Sequence, residues 1–418
     1  MKYQMNSRER VLAIINHQEP DRVPIDLGSS PNTGISAVAY DNLRRYLGIK
    51  TGRTRIHDVL LQLAIPEQEV LNLFKVDVLD LGHTFNTLDD EWYDVHLNGI
   101  DAQFPTWFNP KIYPDGSLEV IHSDGTMLAS MSKDSYVLDQ AFYPSNESYP
   151  TNMNELVRAL QKNYAFVCIS PPFSYLNQKR FWRTLRKNAI ELRNKTDKAI
   201  VLYGGFTLFQ LGTTMKRMDK FLVDLIRKPQ EIDKFLDLVM ELHLATAKLI
   251  CKWVGDTVDI ICFGDDFGEN SGPIMNPKIF RKVFKPRFTQ LVDYIKTNSK
   301  MKTFLHSCGS VVDLIPDFIE IGFDILNPVQ INTKGMDPQY LKKTFGDDIT
   351  FWGGGVDTRN VVNRKKPEEV KSHVKELLEI FAPGGGYVWN TVHNILPDVP
   401  PENIVAMFEA IDEFNSQL

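Results

Sequence analysis

The sequence predicts an α/β protein built as a closed (β/α)8 TIM barrel, with an N-terminal helical extension and a β-hairpin insertion. Eight short apolar runs recur along the chain, each ends in polar residues or glycine, and helical patterns lie between most of them. Near-continuous apolar runs are typical of strands buried on both faces of a parallel sheet. Eight of them favour a barrel over an open doubly wound sheet.

Composition narrows the class of protein further. The chain has 418 residues, of which 43% are hydrophobic and 24% charged, as in ordinary globular proteins. A net charge of −6 gives no reason to expect nucleic acid or an anionic membrane as a partner. Four cysteines are too few for a disulfide scaffold, and no apolar run approaches the roughly 20 residues of a membrane helix. We therefore expect a cytoplasmic protein with reduced thiols.

The N-terminal part, residues 1–75, is predicted to form the helical extension. Asn6 and Glu9 have the spacing of a capping box before an apolar stripe, which predicts a first helix. The run VPIDLG (23–28) predicts a short strand, and further helices are expected over 35–47 and 56–73.

The eight predicted barrel strands follow from the apolar runs. They cover residues 76–82, 165–172, 199–206, 258–266, 302–309, 323–330, 349–358 and 385–393. No G-x-G-x-x-G follows the first run and no G-x-x-x-x-G-K-[ST] occurs. The sequence motifs that usually indicate a dinucleotide-binding fold or a P-loop fold are therefore missing. We expect residues 1–418 to form a single barrel domain.

Residues 89–150 do not follow the alternation of strands and helices; their sequence is typical of β-strands joined by turns. Two Asp-Gly pairs, at residues 115–116 and 124–125, are strong hairpin signals. They predict an antiparallel insertion between the first and second strands. Such an insertion is either a lid or interaction surface, or a passive addition.

Reactive residues of barrel enzymes lie at the carboxyl ends of the strands, and this rule selects the candidate site. Asp265 and Asp266 follow the fourth run and are the candidate catalytic residues, with capping of the loop GENSGP as the alternative role. Other polar residues in or after the strands are candidates for substrate binding: Asp26, Tyr203, Gln330, Asp357, Asn390 and Asn394.

His306 and Cys308 are candidate metal ligands because residues two apart on a strand point to one side. His393, after the eighth run, can lie close to them across the barrel mouth. Three protein ligands and one open position are typical of a catalytic zinc site. The alternative is a packed cysteine beside a hydrogen-bonded histidine.

Five segments of the chain, taken together, resemble the uroporphyrinogen decarboxylase superfamily. They are residues 204–212, 265–288, 303–330, 351–358 and 385–404, and the resemblance extends over nearly the whole chain. It implies a single (β/α)8 barrel with an N-terminal helical extension. The superfamily contains metal-free decarboxylases with an N-terminal Arg-rich motif, and zinc methyltransferases of corrinoid-dependent systems. In the methyltransferases a His-x-Cys and a later Cys bind zinc.

This sequence resembles the methyltransferase branch more closely. Residues 23–35, which take the place of the Arg motif, contain no arginine, whereas His306 and Cys308 match the zinc motif. His393 stands in the region of the later cysteine, and histidine is also a good zinc ligand. The resemblance thus implies Zn²⁺, a separate corrinoid protein that supplies the cobalamin, and a small-molecule methyl donor or acceptor. It also allows a homodimer.

Two alternatives to the methyltransferase stay open at this point. One is a decarboxylase of the uroporphyrinogen type that acts on a tetrapyrrole or another acid. The other is a non-catalytic corrinoid- or tetrapyrrole-binding protein that keeps the cavity without the chemistry.

Overall fold

The computed structural model describes residues 4–169 and 176–418. Its strands are β1 (Ile56–Asp58), β2 (Leu63–Ala64), β3 (Val78–Asp80), β4 (Trp92–Leu97), β5 (Ile100–Pro105), β6 (Lys111–Ile112), β7 (Leu118–Ile121), β8 (Met127–Met131), β9 (Asp139–Gln140), β10 (Ala199–Phe206), β11 (Ile260–Gly264), β12 (Lys302–His306), β13 (Ile325–Asn327), β14 (Thr350–Trp352) and β15 (Tyr387–Val388).

Helices cover the outside of the sheet and form much of the N-terminal extension. They are α1 (Ser7–Ile15), α2 (Ala37–Tyr46), α3 (Gln68–Leu73), α4 (Met153–Leu160), α5 (Tyr164–Cys168), α6 (Lys179–Lys195), α7 (Phe209–Met215), α8 (Met218–Arg227), α9 (Pro229–Val254), α10 (Pro277–Ile279), α11 (Lys285–Asn298), α12 (Ile315–Ile321), α13 (Pro338–Phe345), α14 (Pro367–Phe381) and α15 (Pro401–Asn415). Among the helices that the structure describes, none has an apolar stretch long enough to span a bilayer.

The central sheet has seven parallel strands in the order β3, β10, β11, β12, β13, β14, β15, which is also their order in the chain. Each strand therefore pairs with its neighbour in sequence, as in a (β/α)8 barrel. Most residues of these strands are buried and most are apolar, which is why the apolar runs predicted them.

The N-terminal segment around Ile25 closes this curled sheet. The Trp389 N–H donates to the Pro24 carbonyl and the Asp26 N–H donates to the Trp389 carbonyl, both at 2.9 Å. On the other side, the Asp77 N–H donates to the Ile25 carbonyl at 2.9 Å. The predicted short strand at 23–28 thus occupies the position between β15 and β3, and the TIM-barrel prediction is confirmed.

The predicted second strand, 165–172, is wrong in the part that the structure describes. Residues Tyr164–Cys168 form helix α5, and residues 170–172 lie outside the described residues. Asn163 begins the helix, since its side chain accepts a hydrogen bond from the Phe166 N–H at 3.2 Å. A short apolar run cannot distinguish a strand from a helical turn, and the cap decides the outcome.

The insertion contains two antiparallel sheets, a β4–β5 hairpin and a four-stranded sheet in the order β6, β7, β8, β9. Gly116 and Gly125 both have φ of 89°, which the tight turns between strands require. The Leu138 N–H donates to the Leu60 carbonyl at 2.9 Å, so the insertion packs on the N-terminal extension.

The predicted helix at 56–73 is correct only in its last part. Residues 56–64 form the antiparallel pair β1–β2, and α3 begins at Gln68. The predicted capping box at Asn6 and Glu9 is present at the start of α1.

Candidate functional site

His306 ends strand β12 at the mouth of the barrel, in register with Gly264 and Asn327 on the neighbouring strands. Its Nδ1–H donates to Asn327 Oδ1 at 2.5 Å. The Asn327 amide nitrogen in turn donates to the Trp352 carbonyl at 2.8 Å, which fixes the orientation of the amide. The lone pair of the imidazole is therefore on Nε2, on the side of Cys308.

Cys308 places its Sγ 3.3 Å from His306 Nε2. Burial, reinforced by the nearby Asp266 carboxylate, raises the pKa of the Cys308 thiol well above its ordinary value. The sulfur therefore keeps its proton when no cation is near. A metal ion reverses this preference, because the thiolate is the form that binds metals.

His393 reaches the same place from the loop after β15. Its ring lies edge-to-face with that of His306, with centroids 5.1 Å apart, and its backbone has a left-handed φ of 65°. Such backbone strain in a residue other than glycine is concentrated at functional sites. Burial, followed by the His306 charge, lowers the pKa of His393 to about 4, so the imidazole is neutral at neutral pH.

The hydrogen bonds of His393 define its tautomer. Nδ1 accepts from the Asn394 N–H at 2.8 Å, so the neutral ring carries its proton on Nε2. A metal ion at this ring has to replace either the Asn394 N–H at Nδ1 or the Nε2 proton.

The structure brings the three candidate metal ligands together. One ligand atom from each of His306, Cys308 and His393 lies within 4.8 Å of the other two. Two imidazole nitrogens and a thiolate are donors that zinc accepts, and three ligands leave the fourth position open for a reacting group. The donor set and its spacing fit a catalytic zinc ion.

Asp265 and Asp266, adjacent in sequence, have different surroundings. The Asp265 carboxylate is fully buried and accepts the backbone N–H groups of residues 208–210 at the start of α7. Burial raises its pKa to about 7. The Asp266 carboxylate lines the cavity, accepts the Cys308 N–H at 2.8 Å and has Oδ1 3.5 Å from His306 Nε2. Asp266 alone therefore stays a candidate catalytic residue, whereas Asp265 holds the loop before α7.

Tyr203 is the one candidate substrate-binding residue found among the described residues that line the cavity. Burial raises the pKa of its hydroxyl above the ordinary value for tyrosine. The phenol therefore stays protonated, and it can donate a hydrogen bond to a ligand.

Three other candidates connect the N-terminal segment to β14 or to the loop after β15 and do not line the cavity. Asp26 is fully buried and its carboxylate accepts from the Trp352 indole N–H at 2.8 Å. The Asn390 amide donates to the Asp26 carbonyl at 3.1 Å, and Asn394 Oδ1 accepts from the Gly34 N–H at 2.6 Å. These hydrogen bonds help to hold the barrel closed, while the buried Asn390 Oδ1 has no hydrogen-bond partner among the described residues.

Gln330 and Asp357 also lie outside the cavity lining. Gln330 accepts the Gly309 N–H at 2.7 Å and so braces the loop after Cys308. Burial alone would raise the pKa of Asp357, but hydrogen bonds from Asn332 and Asn360 outweigh it and lower the pKa. Both side chains position loops.

The cavity at the barrel mouth has a volume of about 760 Å³, within the range of small-molecule sites. His306, His393 and Asp266 line part of it. Asp58 lines it as well, and burial raises the pKa of this carboxyl to about 6. Sequence reasoning missed Asp58 because the segment was predicted to be helical.

A second group of potential metal ligands consists of His57, Asp80 and His83, whose ligand atoms also lie within 4.8 Å of one another. The two rings meet edge-to-face with centroids 4.5 Å apart. Burial lowers the pKa of His83 to about 4 and raises that of Asp80 to about 7. Asp80 is the last residue of strand β3, so the rule about strand ends was the signal that would have found it.

Comparison with known proteins places this geometry in a family. The family model for uroporphyrinogen decarboxylase (URO-D) matches residues 187–414, which is more than half of the chain. The chain belongs to the uroporphyrinogen decarboxylase family. The matched part contains strands β10 to β15 and all three candidate metal ligands.

Relatives in this family carry two different names. The methylcobamide:CoM methyltransferase MtaA of Methanosarcina barkeri is 25% identical over 228 residues, which are 53% of this chain and 61% of that protein. The uroporphyrinogen decarboxylase of Methylococcus capsulatus is 40% identical over 50 residues, 12% of this chain and 14% of that protein. That of Pseudoalteromonas translucida is 41% identical over 76 residues, 18% and 21% of the two chains. The matches thus span less than two thirds of these relatives, and the methyltransferase match is the longest of the three.

A solved methyltransferase structure from Methanosarcina mazei has the same fold. It superimposes with a TM-score of 0.59 at 17% identity and covers 98% of this chain and 99% of that one. This chain therefore shares its fold with that structure over nearly its whole length.

Proposed function

We propose that the protein is a zinc-dependent methyltransferase that moves a methyl group between a corrinoid protein and a small molecule. The observation that carries the proposal is the convergence of His306, Cys308 and His393 beside a cavity of small-molecule size. The longer match to a methylcobamide-dependent methyltransferase supports the same conclusion.

Each residue of the site has a separate task. His306, held by Asn327, presents Nε2, while Cys308 and His393 supply the other two ligands of the proposed ion. A bound zinc ion would act as a Lewis acid. It would lower the pKa of the group whose heteroatom occupies its open coordination position. Asp266, beside His306 and open to the cavity, orients the ligand or moves its proton.

The corrinoid is proposed to arrive on a partner protein. Corrinoid proteins of such systems carry the signature D-x-H-x-x-G, whose histidine ligates cobalt. Residues Asp94–Gly99 of this chain match that signature. Here these residues form the β4–β5 hairpin, where His96 pairs with Asp101 and Asp94 pairs with Arg53. The match belongs to a hairpin of the insertion, so it supplies no corrinoid domain. The cytoplasmic location and the homodimer stay predictions.

The proposal is tested with purified protein, before and after removal of metal by a chelator. We expect about one zinc ion at the His306 site, and zinc-dependent methyl exchange between methylcobalamin and added thiols or phenols, followed from the corrinoid absorbance. Zinc-loaded protein that never exchanges methyl groups with any corrinoid would refute the proposal.

The decarboxylase alternative is tested with uroporphyrinogen in the same preparation. A substrate with several carboxylates needs cationic donors to offset its desolvation, and residues 23–35 contain no arginine. We expect no coproporphyrinogen above the level of a heat-killed control, and clear formation of this product would favour the decarboxylase.

A further inference from the structure

The second cluster, His57, Asp80 and His83, has the geometry of a metal site and takes no part in the proposed reaction. One ligand atom from each residue lies within 4.8 Å of the other two. His83 Nε2 is 3.8 Å from Asp80 Oδ2, which is too long for a hydrogen bond. Two donors bound about 2.1 Å from one tetrahedral zinc ion are roughly 3.4 Å apart, so a small movement brings both into coordination.

The local structure directs these donors toward one point. Asp80 ends β3, and its Oδ1 accepts the Gly82 N–H at 2.6 Å, which leaves Oδ2 on the side of His83. His83 lies in a 3-10 turn, Leu81–Thr84, that follows the strand. His57 comes from β1, and its ring meets that of His83 edge-to-face with centroids 4.5 Å apart. Two imidazoles and a carboxylate thus converge from three separate elements.

The carboxylate of this cluster has no positive charge to balance it. The Asp80 side chain is 7% exposed, and no lysine or arginine among the described residues forms an ion pair with it. The Asp26 carboxylate nearby adds a second negative charge. Burial, followed by the His83 charge, lowers the pKa of His57 well below its ordinary value, so its ring is neutral, as that of His83 is. A divalent cation would offset the carboxylates and bind both neutral rings.

The donor set indicates the class of ion. Two imidazole nitrogens and one carboxylate oxygen suit transition-metal ions such as Zn²⁺, whereas Mg²⁺ and Ca²⁺ prefer ligand sets made of oxygen. The three residues do not line the cavity, although Asp58, next to His57 on β1, does. Neighbouring residues of a strand point to opposite sides, so β1 presents Asp58 to the cavity and His57 to the cluster. An ion at the cluster would therefore be out of contact with the cavity, and water would fill its remaining position.

We propose that His57, Asp80 and His83 bind a divalent transition-metal ion that holds the N-terminal extension against the barrel. His57 belongs to the extension, whereas Asp80 and His83 belong to the first barrel strand and the turn after it. An ion shared by these residues closes the loop of chain between them, and it stabilises the folded state because the unfolded chain does not hold the three donors together. This site is separate from the proposed zinc site at His306 and does not depend on methyltransferase activity.

The proposal is tested by counting metal ions in the full-length protein after its metal has been removed and Zn²⁺ has been added in the presence of excess Mg²⁺. We expect about two zinc ions per chain in wild type and about one in His83→Gln, because three protein ligands hold each ion. His373→Gln is the matched control and should keep both ions, since His373 is a half-buried histidine outside both clusters, as His83 is half-buried within one. A single ion in wild type that Cys308→Ser loses, or two ions retained in His83→Gln, overturns the proposal.

Cobalt substitution identifies the ion that His83→Gln loses. The second cluster contains no sulfur, so the thiolate-to-metal absorption of Co²⁺-loaded protein belongs to Cys308. We expect His83→Gln to keep this absorption at full strength while it binds one cobalt ion fewer than wild type. Asp80→Asn should give the same result, and it keeps the volume of the side chain and an acceptor for the Gly82 N–H, so its fold should persist. Loss of the thiolate absorption in both variants, with their folds intact, contradicts a separate site.

Melting temperatures test whether the ion stabilises the fold. Zn²⁺ should raise the melting temperature of Cys308→Ser by several degrees, and it should leave that of Cys308→Ser combined with His83→Gln unchanged, because only the first protein keeps the second site. No rise in Cys308→Ser, or an equal rise in both proteins, overturns the proposal. These measurements count ions and not turnovers, so a protein that binds the second ion but never exchanges methyl groups refutes the methyltransferase and leaves this site intact.

Discussion

Two clusters of similar composition lie in this barrel, and they have different surroundings. His306, Cys308 and His393 border the cavity at the barrel mouth, whereas His57, Asp80 and His83 form a second group at the end of β3. The members of the second group do not line the cavity, and it contains a carboxylate in place of sulfur. The comparison teaches that contact with a cavity, and a soft sulfur ligand, distinguish a candidate reactive centre from a buried polar cluster.

The sharpest test of this comparison removes one residue from each cluster. Cys308→Ser should lower the zinc content and reduce methyl transfer by more than about a hundredfold, since loss of even an outer partner of a metal site costs about 10–100-fold. His83→Gln should keep methyl transfer close to wild type and lower the melting temperature, because its ring packs against His57.

Cys251→Ser is the matched control, since Cys251 is a partly buried thiol outside the cavity lining. Zinc content, melting temperature and methyl exchange are measured on all three proteins. Full methyl exchange in Cys308→Ser would exclude the zinc mechanism. A severe loss of methyl exchange in His83→Gln would show that the second cluster also takes part in the reaction.

The adjacent aspartates sharpen the comparison within the first cluster. Asp266→Asn should retain zinc and lose tenfold or more in turnover, given that acid and base roles contribute roughly 10²–10⁴-fold. Asp265→Asn should instead lose about 1–3 kcal/mol of stability, because buried backbone N–H groups lose part of their charged acceptor. Asp266→Asn with unchanged turnover and a lower melting temperature would show that Asp266 is also a structural residue.

Replacement of His393 tests whether the cluster tolerates a second sulfur. His393→Cys should keep zinc, since a cysteine thiolate completes a tetrahedral site as well as an imidazole does. In the Co²⁺-substituted variant the thiolate-to-metal absorption should strengthen. His393→Ala provides the contrast and should bind metal more weakly. Equal metal affinity in the alanine variant would exclude His393 as a ligand.

The second cluster should make the stability of the folded protein depend on pH. Burial, together with the Asp26 charge, raises the pKa of Asp80 to about 7 from an ordinary value of 3.8. Between these values the folded state holds a proton that the unfolded chain releases, so stability falls as the pH rises from about 4 to about 7.

Asp80→Asn removes this titration. Relative to wild type, its stability should therefore rise across the same window, by on the order of 4 kcal/mol at 1.36 kcal/mol per pKa unit. Denaturant unfolding of the metal-free proteins at several pH values measures the difference in free energy of unfolding between Asp80→Asn and wild type. The control is Asp90→Asn, because Asp90 is exposed. A difference that does not change between pH 4 and 7 contradicts the assignment.

The sequence by itself determined the fold class and most of its strands. Runs such as 199–206 and 302–309 are apolar because both faces of a barrel strand are buried, and this constraint is local enough to read from residue order. The spacing of His306 and Cys308 likewise predicted that both side chains face one side, and the hairpin signals at 115–116 and 124–125 followed from turn geometry.

Only the tertiary structure decided which distant residues meet. The closing strand around Ile25 replaced the run at 165–172, because hydrogen bonds to Trp389 and Asp77 depend on a pairing that no local pattern encodes. The same holds for Asp265 and Asp266. Their side chains are identical, and they have different surroundings because the backbone directs one toward the start of α7 and the other toward the cavity. Charge, burial and access are properties of the assembled barrel, so the chemistry of these residues follows from their neighbours in space.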